Sequence, residues 1–149
     1  MAYVRYFAAS DLGEVMRIFL AGLDEAIPPS DLLSFSALWP NGQIVACDPT
    51  GSVVGAVFGT VHGNKSRVMA IAVDGNRRGG GIATRLLLRF MAESVARGAG
   101  TVTLELRPAN QAAHAFYKKM GFVETAYLEN HYSDGGPCIV MSAPAARLS

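Results

Sequence analysis

Three consecutive glycines, Gly79–Gly81, lie between an apolar β-like stretch and the most regular helical pattern of the chain. Residues 67–73 before them read as a strand, and apolar residues recur at helical spacing from Ile82 to Val95 after them. A strand–glycine–helix junction of this kind predicts a turn whose backbone N–H groups point outward at a helix N-terminus. Missing Cβ atoms would let an anion approach the backbone closely. The junction therefore predicts either a phosphate-binding loop or a tight turn.

Two arginines, Arg77 and Arg78, precede the glycines and favour the phosphate-binding alternative, with a pyrophosphate as the ligand. No Gly-Lys-Ser/Thr sequence follows, so a nucleoside triphosphate loop would lack its phosphate lysine and its magnesium hydroxyl. The glycines also occur in mid-chain, without a Gly-x-Gly-x-x-Gly sequence opening a first βα unit. A kinase, an NTPase and a Rossmann dehydrogenase are therefore all disfavoured.

Local patterns predict a mixed α/β (α+β) fold with the element order β-α-α-β-β-β-α-β-α-β-β. We expect one mixed sheet of about seven strands, flanked on both faces by about four helices. Asp11 and Glu14 predict a reciprocal cap for the first helix, and Asn110 predicts a cap for the last. The predicted segments are strand 3–7, helices from 11 and 28, strands 43–47, 52–61 and 67–73, helix 82–95, strand 101–107, a helix from 110 to Gly121, and strands 122–128 and 138–141.

The chain has 149 residues, half of them hydrophobic and 17% charged, and this composition predicts a single globular domain over residues 1–149. A net charge of +1 gives no field for nucleic acid, and no segment approaches roughly 18 uninterrupted apolar residues. We therefore expect a cytoplasmic protein, monomeric or homodimeric, without nucleic-acid or membrane partners. Cys47 and Cys138 have no neighbours at metal-ligand spacing, so we expect buried free thiols and no metal.

Arg78-x-x-Gly81-x-Ala83 resembles the Arg/Gln-x-x-Gly-x-Gly/Ala signature of the GNAT acetyltransferases. Similarity continues from about Ile71 to Tyr132, through 104–107, Asn110, 115–122 and 130–135. Within that superfamily, this set of matching residues is most similar to the Rim-type bacterial ribosomal-protein N-terminal acetyltransferases and to the archaeal N-terminal acetyltransferases. His131 departs from the Rim type, which has the first of two neighbouring tyrosines at this position. The resemblance implies the GNAT acyl-CoA N-acyltransferase fold and acetyl-coenzyme A (acetyl-CoA) as cosubstrate.

The resemblance also implies roles for individual residues. Glu105 matches the general base, acting directly or through water, and Tyr117 matches the tyrosine that donates a proton to the coenzyme A sulfur. From position alone, Glu105 is better explained as a surface carboxylate on a half-exposed strand. Tyr117 could be a core aromatic, but a buried hydroxyl needs a partner, and a thiolate would supply one. His131 and Tyr132 match residues that line the acceptor groove. The implied cofactor-binding residues are Ile71, Ala72, Val73, Arg78, Gly79, Gly80, Gly81, Ile82, Ala83, Thr84, Asn110 and Tyr117.

The implied reaction is acetylation of a primary amine, with the N-terminal α-amine of a protein or peptide as the leading acceptor. An α-amine titrates near 7.7–8.0 and a lysine amine near 10.4. A larger fraction of an N-terminal amine is therefore already deprotonated at neutral pH, and a glutamate base is sufficient for the rest. A small amine such as a polyamine, an aminoglycoside or an amino acid remains the alternative acceptor. A non-catalytic acyl-CoA-binding module is the alternative to an enzyme.

Overall fold

The structure is a computed structural model, and it describes residues 2–146. The order of its elements is the order predicted from the sequence. The strands are β1 (Tyr3–Tyr6), β2 (Ile44–Cys47), β3 (Val53–His62), β4 (Lys65–Val73), β5 (Thr101–Leu106), β6 (Val123–Leu128) and β7 (Cys138–Pro144). The helices are α1 (Leu12–Gly22), α2 (Pro29–Leu38), α3 (Ile82–Ala96) and α4 (Gln111–Lys119).

The seven strands form one mixed sheet in the order β1-β2-β3-β4-β5-β7-β6. Every neighbouring pair is antiparallel except β4 and β5, which are parallel and are connected through α3. Their pairing covers only Lys65–Val68 against Thr101–Leu104, although both strands continue beyond it. The two strands therefore part towards their carboxyl ends, and the sheet opens at its centre.

Both faces of the sheet are covered by helices, because successive strand residues point to opposite sides. In β2, Ile44 and Ala46 pack with the helix α3 side, while Val45 and Cys47 pack with α1 and α2. In β5, the alternation predicted from the sequence gives three buried apolar residues and three half-buried polar neighbours. The central strands are thus clamped between two apolar layers.

An irregularity in β4 lies next to the opening. Phe58 pairs with Ala70 and Gly59 pairs with Val68, so Met69 is an extra residue without a partner on β3. A Cβ at Gly59 would lie 2.3 Å from the Arg67 carbonyl oxygen and 2.5 Å from the Phe90 ring. Only glycine permits this close approach, and it fixes the bulge from which β4 turns away from β5.

The predicted cap of α1 is wrong. Residues 9–11 form a separate short turn, and the Asp11 carboxylate points back to accept hydrogen bonds from the Ala8 N–H and the Arg5 guanidinium, each at 2.8 Å. Glu14 accepts a hydrogen bond from the Val53 N–H instead of one from Asp11. The residue types of a capping box are present, but Asp11 is bonded to Ala8 and Arg5 and Glu14 to Val53, so the two side chains do not cap α1 reciprocally.

The other local predictions are confirmed, with boundaries that move by one or two residues apart from β7, which runs to Pro144. Asn110 caps α4 by accepting a hydrogen bond from the Ala113 N–H at 3.1 Å. Gly121 ends that helix with a φ of 97°. Cys47 and Cys138 are buried free thiols. Within residues 2–146, every helix is too short or too polar to cross a bilayer.

Candidate active site

A cleft of about 440 Å³ opens where β4 and β5 part. The ends of the two strands form its floor, at 67–71 and 104–107. The segment 22–27 after α1, helix α4, and the 131–132 segment form its sides. The cleft therefore gathers residues that are widely separated in sequence around the one break in the sheet.

A group of charged side chains surrounds Glu105 on the wall of this cleft. Its Oε1 atom lies 2.6 Å from a guanidinium nitrogen of Arg67 and 2.8 Å from Nε2 of His131. The Glu105 side chain is 19% exposed, so this carboxylate is shielded without being sealed from solvent. In the parallel register, Arg67 faces Thr103, two residues before Glu105, which puts both charged side chains on the same face.

Cys138 belongs to the same neighbourhood. Single ligand-type atoms of Glu105, His131 and Cys138 lie within 4.8 Å of one another. Burial, followed by the nearby Glu105 charge, raises the pKa of the Cys138 thiol, which therefore keeps its proton. Arg67 already places a cation on the carboxylate oxygen. A second cation there would be repelled, so we assign no metal to this group.

Tyr117 reaches the cleft from α4. The residue is 8% exposed, and its ring packs against Phe116 and Phe122 with centroids at 5.3 Å and 5.7 Å. Burial raises the pKa of its hydroxyl well above the usual range. The hydroxyl therefore stays protonated at neutral pH and has a hydrogen to donate.

Arg107 contacts two of the segments that border the cleft. Its guanidinium contacts the carboxylates of Glu25 and Asp134, and it lies 4.2 Å above the centroid of the Tyr132 ring. The backbone N–H of Asn110 donates to the Arg107 carbonyl, and its side-chain amide donates a hydrogen bond to Asp24 at 2.8 Å. The segment after α1 and the segment before β7 are thereby both joined to the end of β5.

Tyr132 is half-buried beneath that arginine. Burial, with smaller contributions from the neighbouring Cys138 and the carboxylates of Glu105 and Glu25, raises its pKa well above the usual range. The backbone N–H groups of His131 and Tyr132 both donate to the Gly136 carbonyl, at 3.0 Å and 3.1 Å. This turn fixes both side chains at the mouth of the cleft.

The glycine junction lies at the N-terminus of α3, outside the walls of the cleft. Gly79 and Gly81 have φ angles of 86° and 76°, which residues with a Cβ rarely adopt. The Arg85 N–H donates to the Gly81 carbonyl, and the three N–H groups before it have no helical acceptor. Arg77 is held at 2.8 Å by Asp48, whereas Arg78 extends towards Gly22. The free donors suit a phosphate group.

The structure gathers some of the predicted site residues and separates others. Along the cleft lie Ile71, Glu105, Asn110, Tyr117, His131 and Tyr132. Ala72 and Val73 are buried at the end of β4, between the cleft and the junction. The remaining predicted residues, Arg78, Gly79, Gly80, Gly81, Ile82, Ala83 and Thr84, form the junction itself. The predicted site therefore has two parts, joined by the free edge of β4.

The sequence analysis missed Arg67 and Arg107 as members of the cleft, and Cys138 as a buried neighbour of Glu105 and His131. Arg67 offered one local signal, since it begins an otherwise apolar strand, but only the parallel register of β4 and β5 brings it to Glu105. Arg107 lies on the predicted polar face of β5, and its contacts with Glu25 and Asp134 join residues far apart in the chain. No local pattern encodes those contacts.

Comparison with known proteins agrees with this arrangement. The acetyltransferase (GNAT) family matches residues 12–122. An N-alpha-acetyltransferase from Sulfurisphaera tokodaii is 41% identical over 154 aligned positions, which cover 95% of this chain and 92% of that protein. Ard1 from Thermoplasma volcanium superimposes with a TM-score of 0.91 at 32% identity, covering 98% of this chain and 99% of that one. Naa20 from Chaetomium thermophilum, solved with a bisubstrate analogue, has a TM-score of 0.88 at 25% identity and covers 95% and 86%.

An opened mixed sheet, a phosphate-suited helix N-terminus and a family match over most of the chain define one class of transferase. The chain belongs to the acetyltransferase (GNAT) family. It is an N-acetyltransferase that depends on acetyl-CoA.

Proposed function

We propose that this enzyme acetylates the N-terminal α-amine of a protein or peptide. The observation that carries the proposal is the meeting of Glu105 and Tyr117 on one cleft, in a chain similar along 95% of its length to an N-alpha-acetyltransferase. Naa20, at 25% identity, was solved with a bisubstrate analogue, which supports a cleft that holds both substrates at once.

Acetyl-CoA would lie along the route that joins the junction to the cleft. The free N–H groups at the start of α3 and the positive φ of Gly79 and Gly81 fit its pyrophosphate. Beyond Val68, one edge of β4 has no strand partner among the described residues, so its backbone can pair with the amide-bearing arm. This route would bring the thioester to the floor of the cleft, beside Ile71.

The chemistry at the cleft follows from the charges of its walls. A neutral amine nitrogen forms a bond to the acetyl carbon while the carbon–sulfur bond breaks, so one amine proton has to leave and the sulfur has to be stabilised. Glu105 supplies the negative charge that draws the proton from the amine. Tyr117, which keeps its proton, donates to the departing sulfur. Two protein groups thereby serve the two ends of the transfer.

The mouth of the cleft suits an α-amine on a peptide. Asp24, Glu25 and Asp31 line it beside Glu105 and attract an ammonium group. An α-amine loses its proton near pH 7.7–8.0, so little of its deprotonation has to be supplied by the protein. The open end of the cleft between residues 23–27 and 131–132 leaves room for the chain that follows the amine.

Thiol release from acetyl-CoA in the presence of an N-terminal peptide library and a panel of small amines tests this proposal. We expect turnover of peptides, and a fall in kcat of roughly 100-fold or more in both Glu105→Gln and Tyr117→Phe, which remove the negative charge and the donor hydroxyl of the cleft. Glu129→Gln is the matched control, because this carboxylate is exposed and does not line the cleft.

Turnover of a small amine without turnover of any peptide would contradict the N-terminal acceptor. Peptide turnover that persists at the parental rate in both variants would contradict the assigned groups. Binding of acetyl-CoA without any turnover would leave an acyl-CoA-binding module.

We also propose that residues 1–149 act as one domain, as a monomer or homodimer, in the cytoplasm. The two apolar layers on a single sheet support one folding unit. Light scattering on the purified chain distinguishes the mass of one copy from that of two.

A further inference from the structure

We propose that the amine proton is accepted by Nδ1 of His131, with Glu105 as the positioning residue behind it. This inference rests on the proposed acetylation and assigns the proton-accepting atom within that same cleft. The juxtaposition that carries it is a histidine on the cleft wall whose Nε2 lies 2.8 Å from Glu105 Oε1, which Arg67 also contacts at 2.6 Å.

The hydrogen bond between the two side chains sets the tautomer of the histidine. Glu105 forms an ion pair with Arg67 and is therefore a carboxylate, which accepts hydrogen bonds and has no proton to give. Nε2 of His131 must be the donor. The neutral imidazole then carries its proton on Nε2 and presents Nδ1 as an unprotonated acceptor. An imidazole backed by a carboxylate is the arrangement that serves proton abstraction in many transferases and hydrolases.

Oε1 of Glu105 is already occupied by two donors. A proton placed on that atom would break its bond to His131 or its contact with Arg67, and a proton placed on Oε2 would remove the negative charge that pairs with Arg67. Nδ1 makes no hydrogen bond within residues 2–146, since the bond from Nε2 to Glu105 is the one that the His131 ring makes there. His131 is 30% exposed and lines the cleft, so an amine or a bridging water can reach it.

The other titratable groups around His131 are poor proton acceptors. Tyr132, its neighbour in sequence, and Cys138, on β7, both have raised pKa values and keep their protons at neutral pH. Arg67, on β4, is a permanent cation. The imidazole of His131 is the side chain in this group that offers a basic nitrogen.

The neutral amine nitrogen bonds to the acetyl carbon, one of its protons moves to Nδ1, and the carbon–sulfur bond breaks with the sulfur receiving a proton from Tyr117. The imidazolium that forms is stabilised by the Glu105 carboxylate at 2.8 Å. Release of the imidazolium proton to solvent and reprotonation of Tyr117 from solvent return the enzyme to its starting state.

His131→Gln is the informative variant, because a glutamine amide N–H can keep the hydrogen bond to Glu105 while offering no basic nitrogen. We expect its kcat to fall by about 100-fold or more, with the KM for acetyl-CoA unchanged. His114→Gln is the matched control: this histidine also contacts a glutamate, Glu124 at 2.6 Å, but lies outside the cleft. Its kcat should equal that of the parent.

Rescue by free imidazole separates proton transfer from a structural role. We expect added imidazole to restore much of the lost kcat of His131→Ala, and to leave Glu105→Gln unchanged. Full activity of His131→Gln would overturn the inference, as would loss of activity in His131→Ala that imidazole does not restore while acetyl-CoA still raises the melting temperature. The assays contain a chelator and use whichever amine the parent acetylates, so failure of the peptide proposal is read from the parent and failure of this inference from the variants.

Discussion

Arg107 connects more of the cleft than any single catalytic group does. It contacts Glu25 after α1, Asp134 before β7 and the ring of Tyr132, while its own position is fixed at the end of β5. Its hydrogen bonds to Glu25 and Asp134 raise its own pKa further above an already high value, and Arg107 in turn helps to lower the pKa of Asp134. One side chain therefore joins both segments that border the proposed acceptor side of the cleft.

Replacing Arg107 by alanine should act on the acceptor and leave the cosubstrate alone. Without the guanidinium, the segments 22–27 and 131–135 lose their common partner, so we expect the KM for the peptide to rise several-fold while the KM for acetyl-CoA stays constant. Steady-state kinetics with each substrate varied in turn measures both constants. Arg97→Ala, which removes an exposed arginine at the end of α3, is the control. Equal changes in both KM values would argue against a local effect on the acceptor side.

At the scale of elements, the junction between β4 and α3 combines two requirements. The turn has to reverse the chain sharply, and it has to leave N–H groups free at the helix start. Gly81 meets the first requirement with a φ of 76°, whereas Gly80 has no positive φ, and a Cβ added there would make only an ordinary contact, 3.7 Å from the Arg77 carbonyl oxygen. Neighbouring glycines in one loop thus differ in what they are needed for.

Substitution of these two glycines by alanine should separate those needs. Gly81→Ala forces a Cβ into the left-handed region, and we expect a loss of about 1 kcal/mol in the free energy of unfolding. Gly80→Ala should leave the free energy of unfolding unchanged or slightly raised, because the substitution restricts the unfolded chain without strain. Denaturant unfolding of the ligand-free protein measures both. Equal losses in the two variants would mean that strain at Gly81 is not the cause.

The elements themselves were predictable from local sequence, and the site was predictable only in part. Periodicity located β5 and α3, because each buries one face against a single layer. The contact between Arg67 and Glu105 depends on the register of two strands joined by a long crossover, which no local pattern specifies. Asp11 was assigned to a helix cap because its sequence neighbours fit one, yet Arg5, across a turn, was the stronger partner.

At the scale of the whole molecule, three carboxylates link stability to acidity. Contact with Arg5 lowers the pKa of Asp11, hydrogen bonds from Thr50 lower that of Asp48, and the Gly136 N–H lowers that of Asp134. A carboxyl with a lowered pKa in the folded state stabilises the protein above its unfolded value, here 3.8. That contribution is lost as the pH falls through the folded-state pKa.

We therefore expect the melting temperature to be flat near neutral pH and to fall as the pH drops below about 4. Asp11→Asn should lower the melting temperature at pH 7 and make the acid branch shallower, since one of the linked groups is gone. Thermal unfolding followed by circular dichroism between pH 2 and pH 7 measures both effects, with Glu129→Gln as the control. An acid branch of the same slope in Asp11→Asn and the parent would argue against this linkage.

The short pairing of β4 with β5 separates the residues of the proposed chemistry from the connections that border the acceptor. In the proposed mechanism, the groups that handle protons stand on a sheet strand, a packed helix and one short turn, whereas the acceptor would pass between residues 24–26 and 132–135, which are connections. Exchange of those two connections leaves the hydrogen-bonded ladder, His131, and the packed side chains of Leu23 and Ile27 in place. Acceptor preference can therefore drift between descendants of one ancestral chain while the thioester chemistry is inherited unchanged.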